Sequence, residues 1–269
     1  MNPILIKTDR LTRQFGTVTA VDHLDLEVNA GEIYGFLGPN GSGKTTTIRM
    51  LTGLLEPTSG QAFICGYDIN REPAQAKALL AYVPDEPKIY GKLTAREFLD
   101  LIAALYRMPP DYAREQAARL LAFFELTGRA DELLESYSHG MRQKVVLAAA
   151  LIHRPRVLLM DEPTVGLDPR SARLLKNVLQ ELARQGAAVF VSTHILEIAE
   201  RMCHRVGILQ EGRLIAQGSP EELRKQVGHD DESLEDIFLE LTGGAENAAL
   251  IRSLEEGTNL EDRTTGSTD

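Results

Sequence analysis

The chain has 269 residues, which is enough to bury a sizeable core in one large α/β domain or two small ones. Its formal net charge of −10 is carried by residues 229–269, which hold 12 acidic and 2 basic residues, so residues 1–228 are balanced at 27 of each. This balance lacks the basic surplus of nucleic-acid binders, and the longest apolar run, Val145–Ile152, is far shorter than the ~20 residues of a membrane-spanning helix.

A glycine-rich loop, Gly38–Thr46, is the first segment with a clear chemical signature. It reads GPNGSGKTT and fits the pattern G-x-x-x-x-G-K-[ST] in full. The run before it, Ile33–Leu37, predicts a buried strand, and Thr47–Leu55 after it has helical spacing. A strand, a loop and a helix in this order predict a site for phosphate.

Phosphate suits this loop because glycines let the backbone aim consecutive N–H groups inward, while the following helix adds the positive end of its dipole. Lys44 would reach the β- and γ-phosphates of a nucleotide, and the hydroxyl of Thr45 would bind Mg²⁺. The alternative, a glycine-rich turn with a chance lysine, explains less of the pattern. The loop residues predicted to contact the nucleotide are Gly38, Pro39, Asn40, Gly41, Ser42, Gly43, Lys44, Thr45 and Thr46.

Strand-like and helical patterns alternate along the chain, which indicates an α/β architecture. The predicted strands are Leu24–Val28, Ile33–Leu37, Gln61–Ile64, Ala81–Pro84, Val157–Met160, Ala188–Ser192 and Arg205–Leu209. Their spacing is uneven, because residues 84–137 show little strand pattern. We interpret residues 84–137 as a helical lobe that begins a helical subdomain inserted in the core.

Helices are expected within this lobe and after it. Thr94 and Glu97 have the spacing of a capping box, which predicts that a helix begins there. Further helices are predicted at Tyr112–Phe124, at Met141–Ile152, after the N-cap Ser219, and at Ser233–Leu241. We expect one domain over residues 1–242 and a disordered acidic tail over residues 243–269.

Two carboxylates, Asp161 and Glu162, directly follow the predicted strand Val157–Met160. Open α/β sheets place their sites at the carboxyl ends of strands. Asp161 suits Mg²⁺, and Glu162 suits a general base that orients water toward a γ-phosphate. An exposed acidic turn would explain this pair alone about as well, but the upstream phosphate loop favours the metal and base roles.

Four segments in this order resemble the ATP-binding subunit of an ABC transporter: Gly38–Thr46, Leu158–Pro163, Gly166–Pro169 and Ser192–His194. The resemblance covers residues 4–241. It implies an α/β fold with a P-loop NTPase core, an antiparallel β subdomain and an inserted helical lobe. The segment Ser233–Thr242 is similar to the closing segment of ABC-2 type exporter ATPases.

The resemblance also implies roles for single residues. Phe15 matches the aromatic that stacks on adenine, although a lone phenylalanine could equally be a core residue. His194 matches the switch histidine that contacts the γ-phosphate, and with Lys44 and Glu162 it makes up the implied catalytic set. Asp168 matches the loop that crosses to a partner subunit and helps arrange the opposite site.

The segment Tyr137–Lys144 occupies the place of the family's signature motif, so Ser138, His139 and Gly140 are further candidates for nucleotide contact. They precede the predicted helix Met141–Ile152, whose N-terminus would form a second anion site. In the family, two subunits pair head to tail, and each ATP lies between the phosphate loop of one and the signature of the other.

Two positions depart from the family's pattern. His139 stands where a glycine is usual, which places an imidazole beside the expected γ-phosphate. Asp85 stands where a glutamine is common, and Glu86 follows it. The carboxylate of Asp85 could be a ligand of Mg²⁺, at the cost of repulsion with the triphosphate, or it could face solvent and only join the lobe to the core.

The resemblance implies a subunit that binds and hydrolyses ATP with Mg²⁺ and powers an ABC transporter, with export the expected direction, through ATP-driven dimerisation. The expected partners are a separate membrane-spanning permease and a second ATPase subunit, either identical or different, with no nucleic acid. This arrangement would hold the chain at the cytoplasmic face of the membrane. Two alternatives are a soluble ABC ATPase that acts on a nucleoprotein or regulatory partner, and a regulatory subunit that binds ATP without hydrolysing it. The transported substrate is left open.

Overall fold

The computed structural model describes residues 2–164, 169–227 and 233–242. The strands are β1 (Ile4–Phe15), β2 (Val18–Asn29), β3 (Ile33–Leu37), β4 (Ser59–Ile64), β5 (Tyr67–Asp68), β6 (Leu80–Val83), β7 (Val157–Asp161), β8 (Ala188–Thr193), β9 (Arg205–Gln210) and β10 (Arg213–Gly218). The α-helices are α1 (Lys44–Leu51), α2 (Pro73–Ala78), α3 (Ala95–Leu105), α4 (Pro110–Phe123), α5 (His139–Leu151), α6 (Pro169–Arg184), α7 (Leu196–Met202), α8 (Pro220–Val227) and α9 (Leu234–Leu241). Short 3₁₀ turns lie at Thr127–Arg129 and Leu134–Ser136.

The larger sheet has the strand order β10-β9-β3-β8-β7-β6. All its pairs are parallel except β9 with β10. Strands β3, β7 and β8 are buried along their whole length, as expected for parallel strands covered on both faces. Leu37 pairs with Thr193, and Asp161 pairs with Ser192. The carboxyl ends of the three strands therefore meet at one edge of the sheet.

The smaller sheet is antiparallel, with the order β2-β1-β4-β5. One buried apolar cluster joins this sheet, α1 and one face of the larger sheet. Within it, the ring of Phe190 lies 5.1 Å from the ring of Phe36 and 5.7 Å from the ring of Tyr34, measured between centroids. This packing fixes β3 and α1, and thus the loop between them, against two layers of structure.

A second buried cluster joins α3, α4 and α5 to the opposite face of the larger sheet. The capping box predicted at Thr94 is present: its hydroxyl accepts the Glu97 N–H at 3.2 Å, and the Glu97 carboxylate accepts the Thr94 N–H at 2.8 Å. Ser219 likewise accepts the Glu222 N–H at 3.1 Å, as its predicted N-cap role requires. No helix in the described ranges is long and apolar enough to cross a bilayer.

Several elements differ from the sequence-based prediction. Strands β1, β5 and β10 and helices α2, α6 and α7 were not predicted, and α5 begins at His139 instead of Met141. Gly140 therefore lies in the first turn of α5 and does not precede it, because Ser138 takes the N-cap position. The strand before Asp85 ends at Val83. The predicted tail over residues 243–269 lies outside the described residues.

Candidate functional site

The loop between β3 and α1 has the geometry of a phosphate cradle. Gly43 has a φ of +108°, and a Cβ there would lie 2.3 Å from the carbonyl oxygen of Ala20. A Cβ on Gly38 would lie 2.4 Å from the Ser42 Oγ. Both positions therefore admit only glycine. Gly43 is also the N-cap residue of α1, and because it carries no side chain it leaves the helix N-terminus open to an anion.

Lys44 lies at the centre of this loop. Its Nζ donates hydrogen bonds to the carbonyl oxygens of Gly38, at 2.7 Å, and Pro39, at 3.1 Å. The same Nζ lies 3.7 Å from the Glu162 Oε1. Burial lowers the pKa of Lys44, while the neighbouring carboxylates Glu162 and Asp161 act in the opposite direction. The loop thus holds the Lys44 ammonium group close to the carboxylate of Glu162, which directly follows β7.

Asp161 and Glu162 stand where β7 ends, next to β8. Asp161 is 2% exposed, and Ser192 Oγ donates a hydrogen bond to its Oδ1. Glu162 has a φ of +47°, which is uncommon for a residue with a side chain. Its N–H donates to the carbonyl oxygen of Ser192 at 3.1 Å. In this arrangement the Glu162 carboxylate reaches Lys44, while Asp161 stays buried.

His194 follows β8 directly and contacts Glu162. Its Nδ1 lies 2.9 Å from the Glu162 Oε2, and its backbone N–H donates to the same oxygen at 3.3 Å. The side chain of His194 is about half exposed, while that of Glu162 is 17% exposed. Lys44, Glu162 and His194, which come from three separate segments of the sequence, therefore form one contact group.

These residues fit a nucleotide with a divalent cation. Ser42 Oγ is buried in the loop without a hydrogen-bond partner among the described residues, which is a polar atom in need of one. Among those residues no group of three or more histidine, cysteine or acidic side chains could hold a metal alone. Mg²⁺ suits this chemistry, because it is usually bound by one or two carboxylates together with substrate phosphates.

Phe15 and Ser138 make contacts outside this group. Phe15, at the end of β1, is 47% exposed, and the Arg13 guanidinium lies over its ring at 4.5 Å from the centroid. Ser138 is the N-cap residue of α5, and its Oγ accepts a hydrogen bond from the Met141 N–H at 3.4 Å. The next residue, His139, is exposed. Asp168 lies outside the described residues.

Asp85 is exposed, and its Oδ1 accepts the backbone N–H of Glu86 at 2.8 Å. It lies on the rim of a groove of about 640 Å³ between the end of β6 and the helical lobe. Glu86 pairs with Lys88 at 2.8 Å, so the local charges are partly balanced. A metal role for Asp85 stays a prediction.

Two residues with clear contacts to the site carried no assigned role. Arg13 could have been found, because it lies two positions before Phe15 and a strand places such residues on the same face. Ser192 begins the segment Ser192–His194, but its contact with Asp161 had no local signal, since that contact spans 31 residues and depends on the order of the strands.

Known proteins are similar to the chain in sequence and in fold. A family model described as ABC transporter matches residues 21–165. The linearmycin resistance ATP-binding protein LnrL of Bacillus subtilis (strain 168) is 34% identical over 260 residues, which is 97% of this chain and 82% of that protein. The Nod factor export ATP-binding protein I of Paraburkholderia xenovorans (strain LB400) is 39% identical over 226 residues, 84% of this chain and 74% of that one. A solved ATP binding subunit of an ABC transporter superimposes with a TM-score of 0.84 at 34% identity, over 88% of this chain and 99% of that chain.

The chain therefore belongs to the ABC transporter family, as an ATP-binding subunit that hydrolyses ATP to drive transport. The resemblance found in the sequence and the predicted α/β P-loop fold are confirmed. Such subunits work with membrane permease components and dimerise. The roles of the individual residues stay predictions.

Proposed function

We propose that the chain powers an exporter by binding ATP between two subunits and hydrolysing it at the group formed by Lys44, Glu162 and His194. The observation that carries this proposal is the contact of Glu162 with both Lys44 and His194, at 3.7 and 2.9 Å. A carboxylate held between the lysine of the phosphate loop and a histidine suits the role of base for the attacking water. The similarity to a Nod factor export ATP-binding protein supports export as the direction of transport.

Each residue of the group has a separate task. The loop N–H groups and Lys44 hold the phosphates, and Glu162 accepts the proton of the attacking water. His194 fixes one carboxylate oxygen of Glu162 with its Nδ1 and its backbone N–H, and contacts the γ-phosphate. Asp161 and the hydroxyl of Thr45 would hold Mg²⁺, which when bound neutralises charge on the phosphate oxygens. Phe15 would stack on adenine with the ring face that Arg13 does not cover.

The second half of each ATP site would come from another subunit. Ser138, His139 and Gly140 form the N-terminus of α5, a helix of 13 residues. Within the described part of the chain, no hydrogen bond or ion pair joins these three residues to the phosphate loop. A head-to-tail pair of subunits would bring the helix dipole of α5 onto the phosphates bound by the partner.

The groove between β6 and the helical lobe is the proposed docking site for a membrane-spanning permease, which would hold the subunit at the cytoplasmic face of the membrane. Its walls include Leu54, Phe98, Ile102 and Val146. Leu54 is 65% exposed, so an apolar side chain of the groove is open to a partner. An apolar groove rimmed by Asp85, Glu86 and Lys88 suits a short amphipathic helix.

Two matched variants test this proposal. Leu54→Glu should abolish co-purification with the permease while the ATPase rate of the isolated subunit stays unchanged, because the residue lies in the groove and outside the site. Leu105→Glu is the control, since Leu105 is 69% exposed and does not line the groove. Equal permease binding by both variants would contradict the docking site. Absence of ATP hydrolysis by the wild-type transporter would contradict the proposed function as a whole.

A further inference from the structure

Ser192 is a fully buried residue that contacts both Asp161 and Glu162 of the candidate site. It is 0% exposed and lies in β8, paired in register with Asp161 of β7. Its Oγ donates to Asp161 Oδ1 and accepts the backbone N–H of Glu162 at 3.3 Å. One hydroxyl therefore contacts the carboxylate proposed for Mg²⁺ and the backbone of the residue proposed as base.

The contact with Glu162 matters because its backbone is in an uncommon conformation. A residue with a side chain at a φ of +47° persists only where its surroundings hold it there. Both the hydroxyl and the carbonyl oxygen of Ser192 accept the Glu162 N–H, at 3.3 and 3.1 Å. Rotation of this backbone would carry the Glu162 carboxylate away from Lys44 and His194.

The neighbours of Ser192 show that the strand itself does not require a hydroxyl. Ala188 and Phe190, which alternate onto the same face of β8 as Ser192, are apolar and buried, and a small apolar residue would fill the position of Ser192 equally well. A buried carboxylate, by contrast, needs hydrogen-bond donors to keep its orientation. The donor that Ser192 supplies leaves the other carboxylate oxygen of Asp161 for a different ligand.

We propose that Ser192 is a positioning residue for ATP hydrolysis, whose hydroxyl orients Asp161 toward Mg²⁺ and holds Glu162 in reach of the attacking water. This inference rests on the proposed function of Asp161 and Glu162. The hydroxyl acts from the neighbouring strand β8, where it contacts the carboxylate of Asp161 and the backbone N–H of Glu162. It assigns Ser192 no contact with ATP.

The test compares Ser192→Ala with Ser192→Thr in the full chain with its permease. Ser192→Ala should lower kcat about 10- to 100-fold, as is typical when a residue that orients a metal ligand is lost. The KM for ATP should change little, because the phosphate loop is untouched. Ser192→Thr keeps the hydroxyl and should restore kcat; should threonine not fold there, Ser192→Cys, with its weak S–H donor, should give an intermediate kcat.

A second readout does not depend on activity. Calorimetry should show that ATP binds Ser192→Ala and wild type equally in the absence of Mg²⁺, whereas the gain in affinity on adding Mg²⁺ is smaller in the variant. Thr8→Val is the control for stability, because it also removes a buried hydroxyl hydrogen bond, 2.8 Å long to the Leu24 carbonyl, far from the site. It should leave the Mg²⁺ dependence unchanged.

Three results would overturn the inference. A wild-type kcat with a wild-type gain from Mg²⁺ in Ser192→Ala would show that the hydroxyl positions nothing. A loss of activity that follows the fall in melting temperature, as in Thr8→Val, would show a role in stability alone. A wild-type transporter without Mg²⁺-dependent hydrolysis would remove the proposed function first, and this inference with it.

Discussion

Gly140→Ala separates the part that the signature segment plays in the fold from its part in ATP hydrolysis. Gly140 lies in the first turn of α5, its φ is not positive, and an added Cβ would meet no heavy atom within 4 Å. Alanine at this position should stabilise the folded state by about 0.5–1 kcal/mol, because a chain with glycine loses more conformational entropy on folding than a chain with alanine. For a domain of this size the melting temperature should rise by roughly 1–4 °C.

The same methyl group should impair hydrolysis. If the N–H groups of this turn face the γ-phosphate of ATP on a partner subunit, the added Cβ would hold the phosphate away from these N–H groups. A misplacement of about 1 Å at a reacting group can cost 10²-fold, so we expect kcat to fall by at least about 10-fold.

The assay is the ATPase rate of the purified transporter, measured together with thermal unfolding of each subunit variant. Gly128→Ala is the matched control, since a Cβ at Gly128 also meets nothing within 4 Å and the residue lies in the 3₁₀ turn of the lobe. It should leave kcat unchanged. A stable Gly140→Ala subunit with wild-type kcat would refute the idea that this turn binds nucleotide across a dimer.

Three further predictions address single side chains. Lys44→Ala should weaken ATP binding about 10-fold or more in calorimetry, because it removes a charged donor to the phosphates; unchanged affinity would argue against the site. Asp85→Gln should weaken the dependence of the ATPase rate on free Mg²⁺ if Asp85 binds the metal, and superimposable titration curves would exclude that role. Burial against the Tyr106 ring lowers the pKa of His153 from 6.5 to about 4, so the folded state favours neutral His153. The free energy of unfolding is therefore highest above pH 6.5 and falls as the pH falls toward 4. His153→Phe should reduce this fall by no more than about 2 kcal/mol, as measured by denaturant unfolding at several pH values.

The sequence predicted best those elements that are buried on both faces. β3 was placed at its observed bounds, because every one of its residues is buried and its pattern is uniformly apolar. β1 was missed, because it belongs to an antiparallel sheet with one exposed face and has irregular register near Thr8 and Leu11. Such bulges interrupt the alternation on which strand prediction depends.

In the candidate site, features that lie within one short segment could likewise be predicted, and contacts between distant segments could not. The residues within the phosphate loop and the pair Asp161 and Glu162 could be predicted, since each motif lies in one short segment with its own chemistry. The contacts of Ser192 with Asp161, and of Lys44 with Glu162, join segments that lie far apart in the sequence. They depend on which strands are neighbours and on the backbone conformation of Glu162, and periodicity shows neither.

ATP-driven dimerisation is tested by the oligomeric state of Glu162→Gln with ATP, measured by sedimentation at equilibrium. Glutamine keeps the shape of the side chain but does not accept the proton of the attacking water, so ATP stays intact between the subunits. The proposed function predicts monomers without nucleotide, dimers when ATP and Mg²⁺ are added, and monomers throughout when Lys44→Ala is combined with Glu162→Gln. A Glu162→Gln subunit that binds ATP and stays monomeric, or that hydrolyses ATP at the wild-type rate, would contradict it.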